Sequence, residues 1–205
     1  NDPNSLVGWE AGPFPGCVVT RNVGKGQRYA TISQGLAALP TILTGHSCVV
    51  IRDTATYNSD LVLVQGFTNG GSSITIMGDP ALPAHPISRL GFVIFNASVN
   101  IANIDVVPNI GLFRGIFVSS PNVTISSVNV IDSFGNYTQA GIVLSSWTTV
   151  SYTSVTVANT THTSTLSGPK GPVPYVEPLL LKGKAPGADG IELRVRSRLL
   201  GTCPA

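Results

Sequence analysis

The 205 residues carry 42% hydrophobic but only 11% charged side chains, and the formal net charge is +2. So small a charge, with no Lys/Arg run among aromatics, gives no footing for a nucleic-acid partner, and apolar runs of a few residues exclude a membrane-spanning helix. Charge is well below the usual figure of about 25%, so solubility rests on Ser, Thr, Asn and Gly, a composition common in secreted or surface-displayed β-rich proteins.

Residues 1–16, rich in Pro, Gly and Asn, lack the basic and apolar segments of a signal peptide and read as a loose leader. Cys17 and Cys48 each open a strand-like run, which leaves two readings: a disulfide between them with Cys203 left over, or two buried thiols. Between them Tyr29, Ile32, Leu36 and Leu39 keep helical spacing, Thr31 or Ser33 can cap, and Pro40 stops the run, which predicts a short helix over 31–39. Strands are expected at 48–52, 61–65 and 73–77, followed by a proline-rich excursion, DPALPAHPISR.

From Gly91 onward the chain repeats itself. Written from each glycine it reads GFVIFNASVNIANIDVV, GIFVSSPNVTISSVNVI and GIVLSSWTTVSYTSVTV, with starts at Gly91, Gly115 and Gly141. Val99, Ile101, Ile104 and Val106 fall on Val123, Ile125, Val128 and Val130. With a one-residue insertion near Trp147, they fall in the third copy on Val150, Tyr152, Val155 and Val157. Small polar residues form rows between them: Asn100, Thr124 and Ser151, then Asn103, Ser127 and Ser154, then Asp105, Asn129 and Thr156.

Alternation of period two specifies a strand with one apolar face, and a unit of about 25 residues buries that face only by stacking on its neighbours. The expected fold is all-β, a right-handed parallel β-helix over 17–166 whose first coil is capped by the short helix. After Asn159 the pattern stops, and 167–205 form a Pro/Gly-rich, basic tail. Within it IELRVRSRLL alternates as a strand that can close the solenoid's last edge or pair with a second copy, giving a homodimer.

The runs GKGQRYATISQGLAALP, CVVIRDTATYNSDLVLV and SSITIMGDP together resemble the opening of pectinesterases and the wider pectate-lyase-like β-helix superfamily, over about residues 17–80. That resemblance implies a β-helix and raises a carbohydrate-active enzyme of esterase or lyase type. The family's glutamate after the tyrosine is replaced here by Asn58-Ser59-Asp60, and its central aspartate segment has Asp132-Ser-Phe134-Gly135 as its nearest counterpart.

An enzyme of this fold needs carboxylates on neighbouring coils, either to hold calcium or to act as acid and base. In the repeat register no two carboxylates stack, but Asp105 and Asp132 differ by three positions within the coil and form the candidate catalytic pair. His46, His85 and His162 are the candidate ligands of a divalent metal, zinc in particular, in a metal-dependent hydrolase, although their spacing matches no local ligand motif. Trp147, Phe134 and Tyr137 near the turns, beside the outward Ser/Thr/Asn rows, are placed to stack on sugar rings. The leading expectation is therefore a secreted or surface solenoid module that acts in adhesion or binds a polysaccharide or cell-surface glycan.

Overall fold

The computed structural model describes residues 13–120, 122–132, 137–144, 154–168, 171–183 and 193–195. In chain order the elements are β1 (Val19–Val23), α1 (Ile32–Ala37), β2 (Ser47–Ile51), β3 (Thr56–Tyr57), β4 (Val62–Val64), β5 (Ile74–Gly78), β6 (Ile87–Ser88), β7 (Phe92–Phe95), β8 (Val99–Val106), β9 (Leu112–Ser119), β10 (Asn122–Asp132), β11 (Tyr137–Leu144), β12 (Ser154–Gly168), β13 (Gly171–Gly183) and β14 (Leu193–Val195). They form a parallel β-solenoid of about four turns. One sheet stacks β1, β2, β5, β8, β10 and β12 in parallel, a second stacks β4, β7, β9 and β11, and the short β3 and β6 lead into the second half of β8.

Register turns the repeat into rows. Ser47, Ile74, Val99 and Val123 pair in succession, so coils advance by 27, 25 and 24 residues. Each step is about 4.8 Å, and like residues sit on like. The inward rows Val49–Ile76–Ile101–Ile125 and Val62–Phe92–Ile116–Ile142 come from the two sheets and join one buried core. The eight core positions expected of the first two copies, from Val99 to Val130, are all buried.

The turns explain the punctuation. A Cβ on Gly91 would meet the Gly115 carbonyl oxygen at 1.8 Å, so the glycine that opens the first copy is required by the coil above it. At the bend within β8 and β10, Asn103 and Ser127 both take positive φ (53° and 52°), which reverses the alternation and keeps Ile104 and Val128 inside. Gly78 occupies the corresponding corner in the previous coil, and a Cβ there would meet the Asn103 carbonyl oxygen at 2.3 Å.

Coil length is held by exchange between corners. Thirteen residues separate Ile74 from Ile87, where six separate the paired Val99 from Asp105. Five then separate Ile87 from Phe92, where eleven separate Asp105 from Ile116. The excursion of 79–89 is thus offset one corner later, and the last segment, Phe92 to Val99 or Ile116 to Val123, is seven residues in both coils.

The third copy takes a different register from the one read in the sequence. Gly141 aligns as expected, with Ile142 beside Ile116, but the partner of Val123 is Val155 rather than Val150, and that of Ile125 is Val157 rather than Tyr152. The run TTVSYTSVTV changes parity at Thr153-Ser154 and so holds two apolar pairs, Val150 with Tyr152 and Val155 with Val157, each spaced to sit beside Val123 and Ile125. Val150 lies outside the described residues. The expected partners Ser151 and Thr156 of Thr124 and Asn129 are likewise replaced by Thr156 and Thr161.

The predicted helix is shorter than 31–39. It begins after an N-cap at Thr31, whose hydroxyl accepts from the Gln34 N–H while the Gln34 carboxamide accepts from the Thr31 N–H, a reciprocal capping box. Ile32, Leu36 and the following Leu39 are buried in the core. Asp60 Oδ2 accepts from the N–H groups of Ile32 (2.7 Å) and Ser33 (3.2 Å), and Arg21 Nε donates to the Ala38 carbonyl at 3.0 Å, so each end faces a charge of the sign its dipole favours. At the other end β13 pairs antiparallel with β12, and β14 with β11, within the same chain. Among the described residues no helix is long and apolar enough to cross a membrane.

Candidate functional site

The outward residues of the first sheet stack as strictly as the inward ones. Cys48, Thr75, Asn100, Thr124 and Thr156 share one register row, and Asp105, Asn129 and Thr161 share another beyond the bend. In the first row Asn100 Nδ2 donates to Thr75 Oγ1 at 3.1 Å. The His46 ring lies against the same hydroxyl, with Nε2 3.0 Å from Thr75 Oγ1 and Nδ1 2.6 Å from Ser73 Oγ.

In the second row a single oxygen, Asp105 Oδ1, accepts from Asn129 Nδ2 at 2.7 Å and from His85 Nδ1 at 2.8 Å. A carboxylate only accepts, so Nδ1 of His85 carries the proton. Ring Nε2 and carboxylate Oδ2 take part in neither bond, and both side chains are partly exposed, His85 at 32% and Asp105 at 21%. This pair is an oriented imidazole with a lone pair directed elsewhere, the arrangement a general base requires. It comes from two sources: register supplies Asp105 and Asn129, while His85 arrives on the proline-rich excursion just before β6.

The outer surface of the second sheet is apolar. Leu63, Val93 and Phe117 form one row; Phe95 packs edge to face on Phe117 at 5.6 Å between ring centres, and the Arg114 guanidinium lies 4.0 Å over the Phe117 ring. In the sequence Phe95 and Phe117 are indistinguishable from core residues, because they sit inside strands that otherwise read as core.

The candidate residues distribute as follows. Asp105 meets His85 and Asn129, whereas Asp132 pairs with Ser164, three residues beyond the Asn129 position or roughly 10 Å at the strand rise. His46 and His85 belong to two separate bonded groups, and His162 lies on β12 opposite Val130 and Glu177. Tyr137 opens β11 opposite Leu112. The side chains of Asp132, Tyr137 and His162, and all of Phe134 and Trp147, lie outside the described residues. Cys17 and Cys48 form a disulfide with Cα atoms 5.9 Å apart.

Two carboxylates that resemble site residues have other work. Tyr57 donates its hydroxyl to Asp53 Oδ1 at 3.0 Å, and burial first, then that bond, pushes the phenol pKa up from its ordinary value. Asp60 is taken up by the start of α1. Compared with protein-family models, curated proteins and solved structures, the chain gives no match.

Proposed function

We propose that this protein is a secreted or surface-displayed β-solenoid module, related to the pectate-lyase-like superfamily, that binds a polysaccharide or cell-surface glycan along the outer face of its first sheet. The observation that carries the reading is the ladder of amide and hydroxyl groups at Asn100 and Thr124, continued past the bend by Asp105 and Asn129. Groups repeated at the strand spacing of about 4.8 Å offer a polymer of like units the same donors and acceptors in register. The Cys17–Cys48 disulfide supports an oxidising compartment. Affinity electrophoresis against neutral and acidic plant and bacterial polysaccharides tests it: one class should retard the protein, and the Asn100→Leu/Thr124→Val pair should weaken retardation at least tenfold. No retardation by any class, with the protein folded, rejects the reading.

One observation favours a second reading, a carbohydrate-active enzyme of esterase or lyase kind. The His85–Asp105 contact provides a base held in one tautomer on that same face. Turnover of esterified or de-esterified polygalacturonate, with and without calcium, that disappears in His85→Ala would establish it; retention without turnover leaves the binding module.

A further inference from the structure

Among the described residues, the side chains of Cys17, His46 and Cys48 bring three metal-ligating atoms within 4.8 Å of one another. From this geometry we propose that the three residues form a redox-controlled metal site: joined as a disulfide in oxidising surroundings, and holding zinc or a similar borderline-soft divalent ion once reduced. This inference is independent of the glycan-binding reading.

The placement is a product of the first two strands. Thr20 pairs with Cys48, and Cys17 lies three residues earlier, where the Val18 N–H donates to the His46 carbonyl at 2.7 Å. Cys17, at the mouth of β1, is thereby held over the start of β2, while His46 and Cys48 are two residues apart on one strand entrance and point to the same side. Zinc with ligand bonds of about 2.0 to 2.3 Å places its donor atoms roughly 3.5 to 3.8 Å apart, so on reduction the two sulfurs, bonded to each other in the disulfide, move apart while the imidazole, within 4.8 Å of both, closes on the ion, and side-chain rotation supplies both movements.

The surroundings fit a metal better than a free thiol pair. Both cysteines are buried, at 9% and 1%, against Val50, Phe14 and Met77, an apolar wall that raises the cost of an unpaired thiolate and favours one neutralised by a cation. His46 has a hydroxyl on each ring nitrogen, Ser73 on Nδ1 and Thr75 on Nε2. One of these bonds opens for the metal, and the other remains to fix the ring, as the outer partners of metal-bound imidazoles do. Two thiolates and one imidazole leave the fourth tetrahedral position to water.

The chemistry balances in two steps. The disulfide accepts two electrons and two protons from an external dithiol, which closes to its own disulfide, or two electrons from a tertiary phosphine and two protons from the water whose oxygen ends in the phosphine oxide. The two thiols then release two protons to solvent as the divalent ion binds, so affinity rises with pH.

Cobalt(II) is the probe, added to the full chain carrying Cys203→Ser and reduced with a phosphine. The expected result is one equivalent bound, with a thiolate-to-cobalt charge-transfer band in the near ultraviolet and the visible bands of a tetrahedral ion, displaced by zinc. The band should be absent from the oxidised protein and from Cys17→Ser. His46→Ala should lower affinity at least tenfold, and Ser73→Ala/Thr75→Val tenfold or more while the band shape is kept. Circular dichroism accompanies each sample. A reduced protein that keeps its strand signal but shows no band overturns the proposal, as does an unaltered band in His46→Ala. A reduced protein that loses its strand signal and does not regain it with cobalt also overturns it.

Discussion

The two ends of the solenoid solve one problem by different chemistry. Each terminal coil of a parallel stack leaves an apolar mouth and a row of unpaired backbone groups. The first end is closed by covering: α1 lays Ile32 and Leu36 on the core and is held between Asp60 and Arg21. The Cys17–Cys48 bridge and Arg52, which bonds to Asn22 and Asp79, tie β1 to the next two coils. The second end is closed by reversal, as β13 and β14 run antiparallel on β12 and β11 and pair their edges. Pro172, Pro174 and Pro178 fall at alternate places on β13, and so withhold their N–H from the same edge of that strand. The first end should therefore respond to packing and charge, the second to removal of backbone pairing.

The largest effect expected is at the covered end. Leu36→Ala should cost about 3 kcal/mol in denaturant unfolding, because a buried leucine leaves a cavity under a short helix that cannot collapse into it. Opening the disulfide with Cys17→Ser should cost about 2 to 3 kcal/mol in the oxidised protein, as it closes a sequence separation of 31 residues. Asp60→Asn keeps the shape but removes the charge that faces two helix N–H groups, and thermal unfolding should show a loss of about 1 to 2 kcal/mol.

At the reversed end, a chain stopped at Gly190 lacks β14 and leaves β11 without that partner. Light scattering should show a larger particle with little change in melting temperature, since an unpaired edge recruits another; an unchanged mass would show that β14 guards nothing.

The smallest effect is titration of the Arg52–Asp79 tie. The Ala81 N–H first, and Arg52 second, hold the Asp79 carboxyl below the ordinary value, so the unfolded chain takes up this proton before the folded one does. The stabilisation is complete above about pH 4 and fades as pH falls through the lowered folded value. Thermal unfolding of Asp79→Asn should therefore be less acid-sensitive than the parent between pH 4 and 2, and equal slopes would refute the tie.

What was legible in the sequence is what period alone determines. Val99 to Val130 announced both the coil and its inside face, and Thr31, Ile32, Leu36 and Pro40 announced the helix, because each signal is local or repeats at a fixed interval. The register of β12 was not legible, since Val150 with Tyr152 and Val155 with Val157 have the same spacing and either pair fits beside Val123 and Ile125. Of the candidate site, Asp105 over Asn129 followed from stacking, but His85 did not. It is carried by Pro-rich chain whose path obeys no period, and it reaches Asp105 only after the coil has closed. Asp60 was hidden for the same reason, with its partner amides 27 and 28 residues away at the start of α1.

The exchange of length between corners has a use in protein engineering. The coil that contains the 79–89 excursion keeps its strands in register with a corner seven residues longer than that of the coil above it. Pro80, Ala81, Pro83 and Ala84 at its crest are exposed, and inserted residues there would add loop without displacing a strand. A foreign epitope grafted between Ala81 and Ala84 would be displayed beside the polar ladder on a scaffold whose rows fix its position, and several such grafts on successive coils would stand one strand spacing apart.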